Sequence, residues 1–124
     1  MAVHRHVNAV SYPAGQDLST SQYRIVYLSD EGRIETANGN GTSLLGILLN
    51  KPSAVGQAAR VAIDGSVVKC EAGGAVNERD AVGAAAGGRG TAGVIDNAYI
   101  VGRALSAAAA SADLFEVSVM VGRL

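Results

Sequence analysis

The chain has 124 residues, a length that suits one domain, and its net charge of −1 lacks the basic excess that nucleic-acid binding requires. No apolar run approaches membrane-spanning length, so together with the charge this predicts that neither nucleic acids nor membranes are partners. The single cysteine excludes an internal disulfide. Hydrophobic residues make up 48% but aromatic residues only 4%, which predicts a core built from Val, Ile, Leu and Ala.

The first 22 residues differ from the rest of the chain. They show no helical stripe, and residues 12–15 read Tyr-Pro-Ala-Gly, a signal for a turn or an extended segment. We therefore predict an extended N-terminal arm over residues 1–22, followed by a β domain over residues 23–124. The same residues are equally compatible with a first strand that pairs within the domain.

Beyond the arm, short runs of β-branched and aliphatic residues alternate with turn signals. Strands are predicted at residues 23–28, 33–36, 43–49, 59–63, 66–70, 81–86, 94–95, 98–105 and 114–121. Residues 106–112 contain five alanines, and we interpret them as a loop or one helical turn, because the segment is short for an isolated helix. The pattern predicts an all-β fold, a small β-barrel or sandwich.

Two halves of the chain resemble each other. Gly46 lies in an apolar strand that leads to a second strand ending at Gly65, and Gly102 lies in a strand that leads to another ending at Gly122. The separations nearly agree, at 56 and 57 positions. This spacing predicts two pseudo-repeated lobes, at about residues 23–70 and 80–124. Because the repeated positions are apolar or glycine, they carry no chemistry and do not indicate an enzyme.

Candidate catalytic and ligand-binding motifs are weak. Residues 88–93 match GxGxxG, but a β-branched stretch follows where a dinucleotide site needs a helix, so we predict a turn. His4 and His6 would point the same way on an extended arm, but the chain has no third histidine, and we expect no metal site. Cys70 is interpreted as a small, half-buried core residue. We therefore expect no cofactor and no catalytic residue.

Several short motifs together resemble the small β-rich capsid decoration proteins, also called cement or head-stabilising proteins, of tailed bacteriophages. The resemblance covers roughly residues 20–124, and alanines 107–110 depart from it where the family has a glycine-containing turn. The matching motifs are an entry strand, a hairpin turn, a short glycine-containing strand and a closing strand: Arg24-Ile25-Val26, Gly32-Arg33, Leu45-Gly46-Ile47 and residues 61–65.

The resemblance implies a structural role without turnover. Such proteins bind the outer face of an assembled capsid and clamp neighbouring capsomers, so the implied partner is the major capsid protein. It also implies a homo-oligomer, with a trimer favoured. The implied location is the outer capsid surface of the virion, after synthesis in the cytoplasm of a host bacterium.

The predicted interface residues are concentrated in the arm. An extended segment can add a strand to the edge of a neighbouring sheet through main-chain hydrogen bonds alone. Tyr12 and Tyr23 would be aromatic anchors at its root; for every one of these residues, ordinary packing within the domain is the alternative. The arm residues expected to lie along the shell or a sister subunit are Val3, Arg5, Val7 and Val10.

Three other functions remain open. The chain could be another small β component of a virion, such as a head–tail or tail subunit. It could be a module that binds carbohydrate or another ligand, although four Tyr, one Phe and no Trp provide few aromatic platforms. It could also bind a nucleotide through the loop at Gly88.

Overall fold

The computed structural model describes residues 7–39, 43–94 and 98–123, and its regular structure is almost entirely β. Apart from one short 3-10 turn, Ala86–Gly88, the described residues form ten strands. These are β1 (Ala9–Pro13), β2 (Ile25–Leu28), β3 (Ile34–Thr36), β4 (Gly46–Leu48), β5 (Ala58–Ala62), β6 (Val67–Glu71), β7 (Ala81–Ala84), β8 (Gly90–Thr91), β9 (Tyr99–Ala104) and β10 (Leu114–Arg123).

The strands form two five-stranded sheets in which all strand pairs are antiparallel. Strands β1–β5 form lobe 1, with the order β1-β5-β4-β2-β3. Strands β6–β10 form lobe 2, with the order β6-β10-β9-β7-β8, which is the same topology. The prediction of an all-β fold with two lobes is confirmed.

The register of the two sheets repeats with an offset of 56 positions for β2–β5 and β7–β10, and of 58 positions for the first strands β1 and β6. In lobe 1, Ile47 pairs with both Ile25 and Ala62. In lobe 2, Arg103 pairs with Ala81 and Ser118, each 56 positions later. The separation of 56 between the two glycine-containing strands is therefore a true structural repeat.

The boundaries of the lobes differ from the predicted ones. The predicted first lobe includes residues 66–70, but β6 (Val67–Glu71) pairs with β10 and opens lobe 2. Lobe 1 opens with β1, which pairs with β5 from Ala9↔Ala62 to Pro13↔Ala58. Of the two interpretations of residues 1–22, the first strand that pairs within the domain is therefore the one observed for residues 9–13.

The segment predicted as an arm is, from residue 9 onward, an integral part of lobe 1. Ala14 and Leu18 are fully buried, and the Leu18 amide donates to the Pro52 carbonyl at 2.8 Å. The physical reason is that one edge of β5 would otherwise carry unpaired backbone groups, which β1 satisfies. The arm residues 1–6 lie outside the described residues.

Each sheet curls until its two edges meet. A parallel bridge joins Ala14 to Ile34 in lobe 1, and the equivalent bridge joins Ala72 to Gly90 in lobe 2. The amides of the next residues, Gly15 and Gly73, each donate to the bridged carbonyl at 2.8 Å. Each lobe is therefore a small, partly closed β-barrel.

The alanine-rich segment 106–112 is a loop, because it repeats the loop before β5 rather than forming a helix. The Asp113 carboxylate accepts hydrogen bonds from the Ala109 and Ala110 amides, as the Gln57 side chain accepts one from Ser53. Ala112 has φ +73 where the first lobe has a glycine.

The strand predicted at residues 94–95 is not found at that place. The structure forms β8 earlier, at Gly90–Thr91, and Val94 lies outside any strand. Ile95 is outside the described residues.

The core shows how the lobes pack. One cluster fills the interior of lobe 1 and includes Val26, Leu48 and Val61. The adjacent row of lobe 1, Ile25–Ile47–Ala62, faces outward from that barrel, yet all three residues are fully buried in a second cluster shared with lobe 2. Lobe 2 therefore covers the outer face of lobe 1; we call Ile25–Ile47–Ala62 the outer row of lobe 1.

Candidate interaction surfaces

An ion-pair cluster lies at the junction between the lobes. The Glu71 carboxylate oxygen Oε2 lies 2.6 Å from Arg89 Nε and 3.3 Å from Arg24 Nη2. The Glu71 amide also donates to the Tyr23 carbonyl at 2.8 Å. Because Arg24 and Tyr23 belong to lobe 1 while Glu71 and Arg89 belong to lobe 2, these contacts hold the lobes together and fix their register.

The glycine-rich loop is part of the same junction. A Cβ at Gly88 would lie 2.5 Å from the Ile25 carbonyl oxygen, so lobe 1 occupies the space in front of this glycine. The loop continues into β8 rather than into a helix. The prediction of a turn over residues 88–93 holds only at its start: Gly88 lies in the turn that the Ala85 amide closes on the Arg89 carbonyl, whereas Gly90–Thr91 is a strand.

The predicted interface residues are distributed over lobe 1 rather than gathered in one arm. Val7 is exposed, Val10 is half-buried, and Tyr12 on β1 is 36% exposed. Tyr23 lies at the lobe junction, and strands β5 and β4 separate it from Tyr12 in the sheet. Val3 and Arg5 lie outside the described residues.

A cleft of about 610 Å³ lies between the lobes. Tyr23 and Leu49 line it from lobe 1, and Lys69 and Glu116 line it from lobe 2. Lys69 and Glu116 are register partners across β6 and β10, so the charges of the cleft belong to a cross-strand pair of opposite sign.

A second, more apolar groove of about 310 Å³ lies on lobe 2. Ile100, Leu105 and Met120 supply its apolar surface, and Arg79 and Arg103 lie at the same groove. The Arg103 guanidinium donates to the Arg79 carbonyl at 3.3 Å. Sequence reasoning missed this groove, although the exposure of Met120 follows from the alternation of β10, whose odd-numbered valines point inward.

Groups suited to metal binding or nucleophilic chemistry do not converge in the described part of the chain. No three His, Cys, Asp or Glu side chains come together there. Cys70 is fully buried rather than half-buried, and burial raises the pKa of its thiol to about 12. The thiol is thus protonated and unreactive at neutral pH.

Among the described residues, no helix is long and apolar enough to cross a membrane.

Comparison with known proteins shows a similarity to a solved structure. No protein-family model matches the chain, and no curated protein matches it. Among solved structures, the N base of the head fiber gp8.5 of bacteriophage phi29 is similar, with a TM-score of 0.70 and 17% sequence identity. The two chains share a fold. The similarity covers 96% of this chain and 98% of the phage chain, so it includes both lobes.

Proposed function

We propose that this chain is a structural protein of a bacteriophage virion, which binds the outer surface of the assembled capsid and stabilises it by holding neighbouring capsomers. The observation that carries the proposal is the two-lobed fold, shared over 96% of the chain with the base of a phage head fiber. The resemblance of the motifs at residues 24–26, 32–33, 45–47 and 61–65 to capsid decoration proteins points the same way.

The surface chemistry supports a binding role. The exposed large hydrophobic residues lie on both lobes, and the clefts carry cross-strand charge pairs or arginines rather than converging acids, bases or nucleophiles. We therefore propose a protein without enzymatic turnover and without a cofactor. Its partners would be the major capsid protein and further copies of itself, with a trimer favoured.

The affinity for the capsid would come from several weak contacts made at once. A homo-oligomer that touches several capsomers at once gains affinity through effective concentration, although each contact is weak. If it binds the assembled shell and not free capsid subunits, it stabilises the shell by mass action.

The direct test is co-sedimentation with mature capsids that lack this protein. We expect saturable binding with a fixed number of copies per shell, and a higher temperature of capsid disruption when the sites are filled. Lysozyme of similar size serves as the non-binding control. Binding that never saturates, or no binding, would contradict the proposal.

The role of the N-terminal residues is tested separately. Deleting residues 1–6 removes Val3 and Arg5 but leaves β1 complete, so lobe 1 keeps its first strand. We expect the truncated protein to fold and to bind capsids more weakly than the full chain. Unchanged binding would remove residues 1–6 from the proposed interface and leave Val7, Val10 and Tyr12.

A second candidate is the base of an appendage that projects from the head. The similarity to a head-fiber base favours it specifically. Electron microscopy of decorated shells distinguishes the two: density flush with the capsomers favours decoration, and a projecting feature favours an appendage.

A further inference from the structure

The outer row of lobe 1 has an uncovered counterpart on lobe 2. The residues equivalent to Ile25–Ile47–Ala62, by the offset of 56, are Ala81–Arg103–Ser118. No part of the described chain covers this row as lobe 2 covers lobe 1, and Arg103 is exposed.

The apolar groove of about 310 Å³ lies on this same uncovered face. It includes Met120, which is 70% exposed, and Leu105, which is 48% exposed. An apolar floor with Met and Arg is the composition enriched in interfaces between chains, whereas the fully aliphatic outer row of lobe 1 is typical of a permanent core.

The side of lobe 1 that is equivalent to the contacting side of lobe 2 carries exposed apolar residues. Lobe 2 meets lobe 1 through Glu71, at the end of β6, and Gly88, in the turn after β7. The neighbouring Cys70 and Ala84 are buried in the cluster that lobe 2 shares with the outer row of lobe 1. The equivalent positions of lobe 1, at the end of β1 and of β2, hold Tyr12 and Leu28, which are 36% and 38% exposed. Large apolar side chains are thus exposed where a lobe could contact the outer row of another.

The residues equivalent to the charged residues of the lobe junction would have opposite charges in a contact between copies. Within the chain, Arg24 and Arg89 converge on the Glu71 carboxylate, so an acid separates two like charges. At the equivalent positions Arg24 becomes Asp80 and Arg89 becomes Arg33, and Glu71 becomes Pro13, because the first strands β1 and β6 are related by 58 positions. Between two copies, Arg33 of one would therefore face Asp80 of the next, and the opposite charges need no bridging acid.

We propose that copies of this chain associate head to tail, with lobe 1 of one copy seated on the outer face of lobe 2 of the next. Tyr12 and Leu28 of one copy contact the groove formed by Ile100, Leu105 and Met120 of its neighbour. The proposal rests on the homo-oligomer of the proposed function and names its surfaces. Such a contact joins two different surfaces, so it continues from copy to copy and forms a ring where the rotation between copies closes, or an open filament where it does not.

The test measures the mass of the protein in solution without capsids, by size-exclusion chromatography with light scattering. We expect an oligomer for the unmodified chain and a monomer for both Met120→Glu and Leu28→Glu, because each places a charge in the contact. Val55→Glu is the control: Val55 is 56% exposed and is not among the residues of the proposed contact, so we expect this variant to remain an oligomer. Circular dichroism confirms that each variant is folded.

Mixing the two monomeric variants tests the head-to-tail geometry. The Met120→Glu chain retains an intact lobe 1 surface, and the Leu28→Glu chain retains an intact lobe 2 surface, so the mixture forms a one-to-one heterodimer and nothing larger. Arg33→Glu weakens self-association several-fold at low salt. A monomeric unmodified chain, or a mixture that stays monomeric, overturns the proposal. Capsid binding is not part of this measurement, so its failure would leave the result unaffected.

Discussion

Replacing Gly46 or Gly102 by alanine tests whether the repeated glycines are required by the close approach of a neighbouring strand. A Cβ at Gly46 would lie 1.8 Å from the Ala62 carbonyl oxygen, and one at Gly102 would lie 1.9 Å from the Ser118 carbonyl oxygen. Real Cβ atoms stay beyond 3.0 Å, and the obstructing atom is backbone, so the paired strands must separate by more than an ångström. This separation breaks ladder hydrogen bonds in the centre of each sheet.

The expected cost combines two terms. Overpacking costs about 1–3 kcal/mol, and two disrupted ladder bonds add about 2 kcal/mol, for a loss of about 3–5 kcal/mol in the free energy of unfolding. At about 4 °C per kcal/mol, the midpoint of thermal unfolding falls by about 12–20 °C. Because the obstruction is equivalent in both lobes, the two variants are expected to lose similar stability.

Thermal unfolding followed by circular dichroism measures this effect. Gly122→Ala is the matched control, since Gly122 also lies in a strand but has no atom within 4 Å of its Cβ position. We expect the control to match the unmodified chain or to exceed its stability by about 0.5 kcal/mol. Gly46→Ala and Gly102→Ala proteins that melt with the control would refute the close approach of the strands.

Three further predictions concern single side chains. We expect Cys70 to resist thiol reagents at pH 8 until the protein unfolds. Burial raises the pKa of its thiol to about 12 from 9.0, so the folded thiol remains protonated at a pH where the unfolded thiol ionises. The contribution of Cys70 to stability is therefore lost as the pH rises from 9 to 12. Labelling kinetics against denaturant check this, and rapid labelling of the folded protein would contradict it. Glu71→Gln leaves two arginines facing each other and lowers the unfolding free energy by about 1–2 kcal/mol in urea titrations, whereas Glu78→Gln, at an exposed site, does not. Asp113→Ala removes two hydrogen bonds to loop amides and costs about 1 kcal/mol, and an unchanged urea midpoint would exclude a stabilising role for that loop.

The repeat and most of the strands could be predicted from the sequence, because their signals are local. The β-branched runs lie at or close to the observed strands β2 to β7, β9 and β10, and Gly46 and Gly102 gave the offset of 56. Glycine is informative at these two positions because another strand's carbonyl approaches too closely for a side chain. The short strand β8 was missed because Gly90–Thr91 has no apolar signal.

The parts that could not be predicted depend on contacts distant in the sequence. The sequence could not decide between an arm and a first strand at residues 9–13, because the partner strand β5 lies some fifty residues away. Glu71 meets Arg24 across 47 positions, so the ion-pair cluster at the lobe junction had no local motif. The groove beside Met120 likewise has no local signal, because Arg79, Leu105 and Met120 come from three separate segments of lobe 2.

Because the first and last strands of each lobe pair with each other, a lobe can complete its fold only after its last strand has been synthesised. Lobe 1 cannot complete its sheet until residue 62 has left the ribosome, because Ala9 must meet Ala62. Its outer row stays in contact with water until lobe 2 has also been synthesised, since lobe 2 is what buries Ile25, Ile47 and Ala62. A nascent chain that stalls between the lobes therefore exposes the aliphatic outer row of lobe 1, the kind of surface that chaperones bind and that aggregates when they are absent.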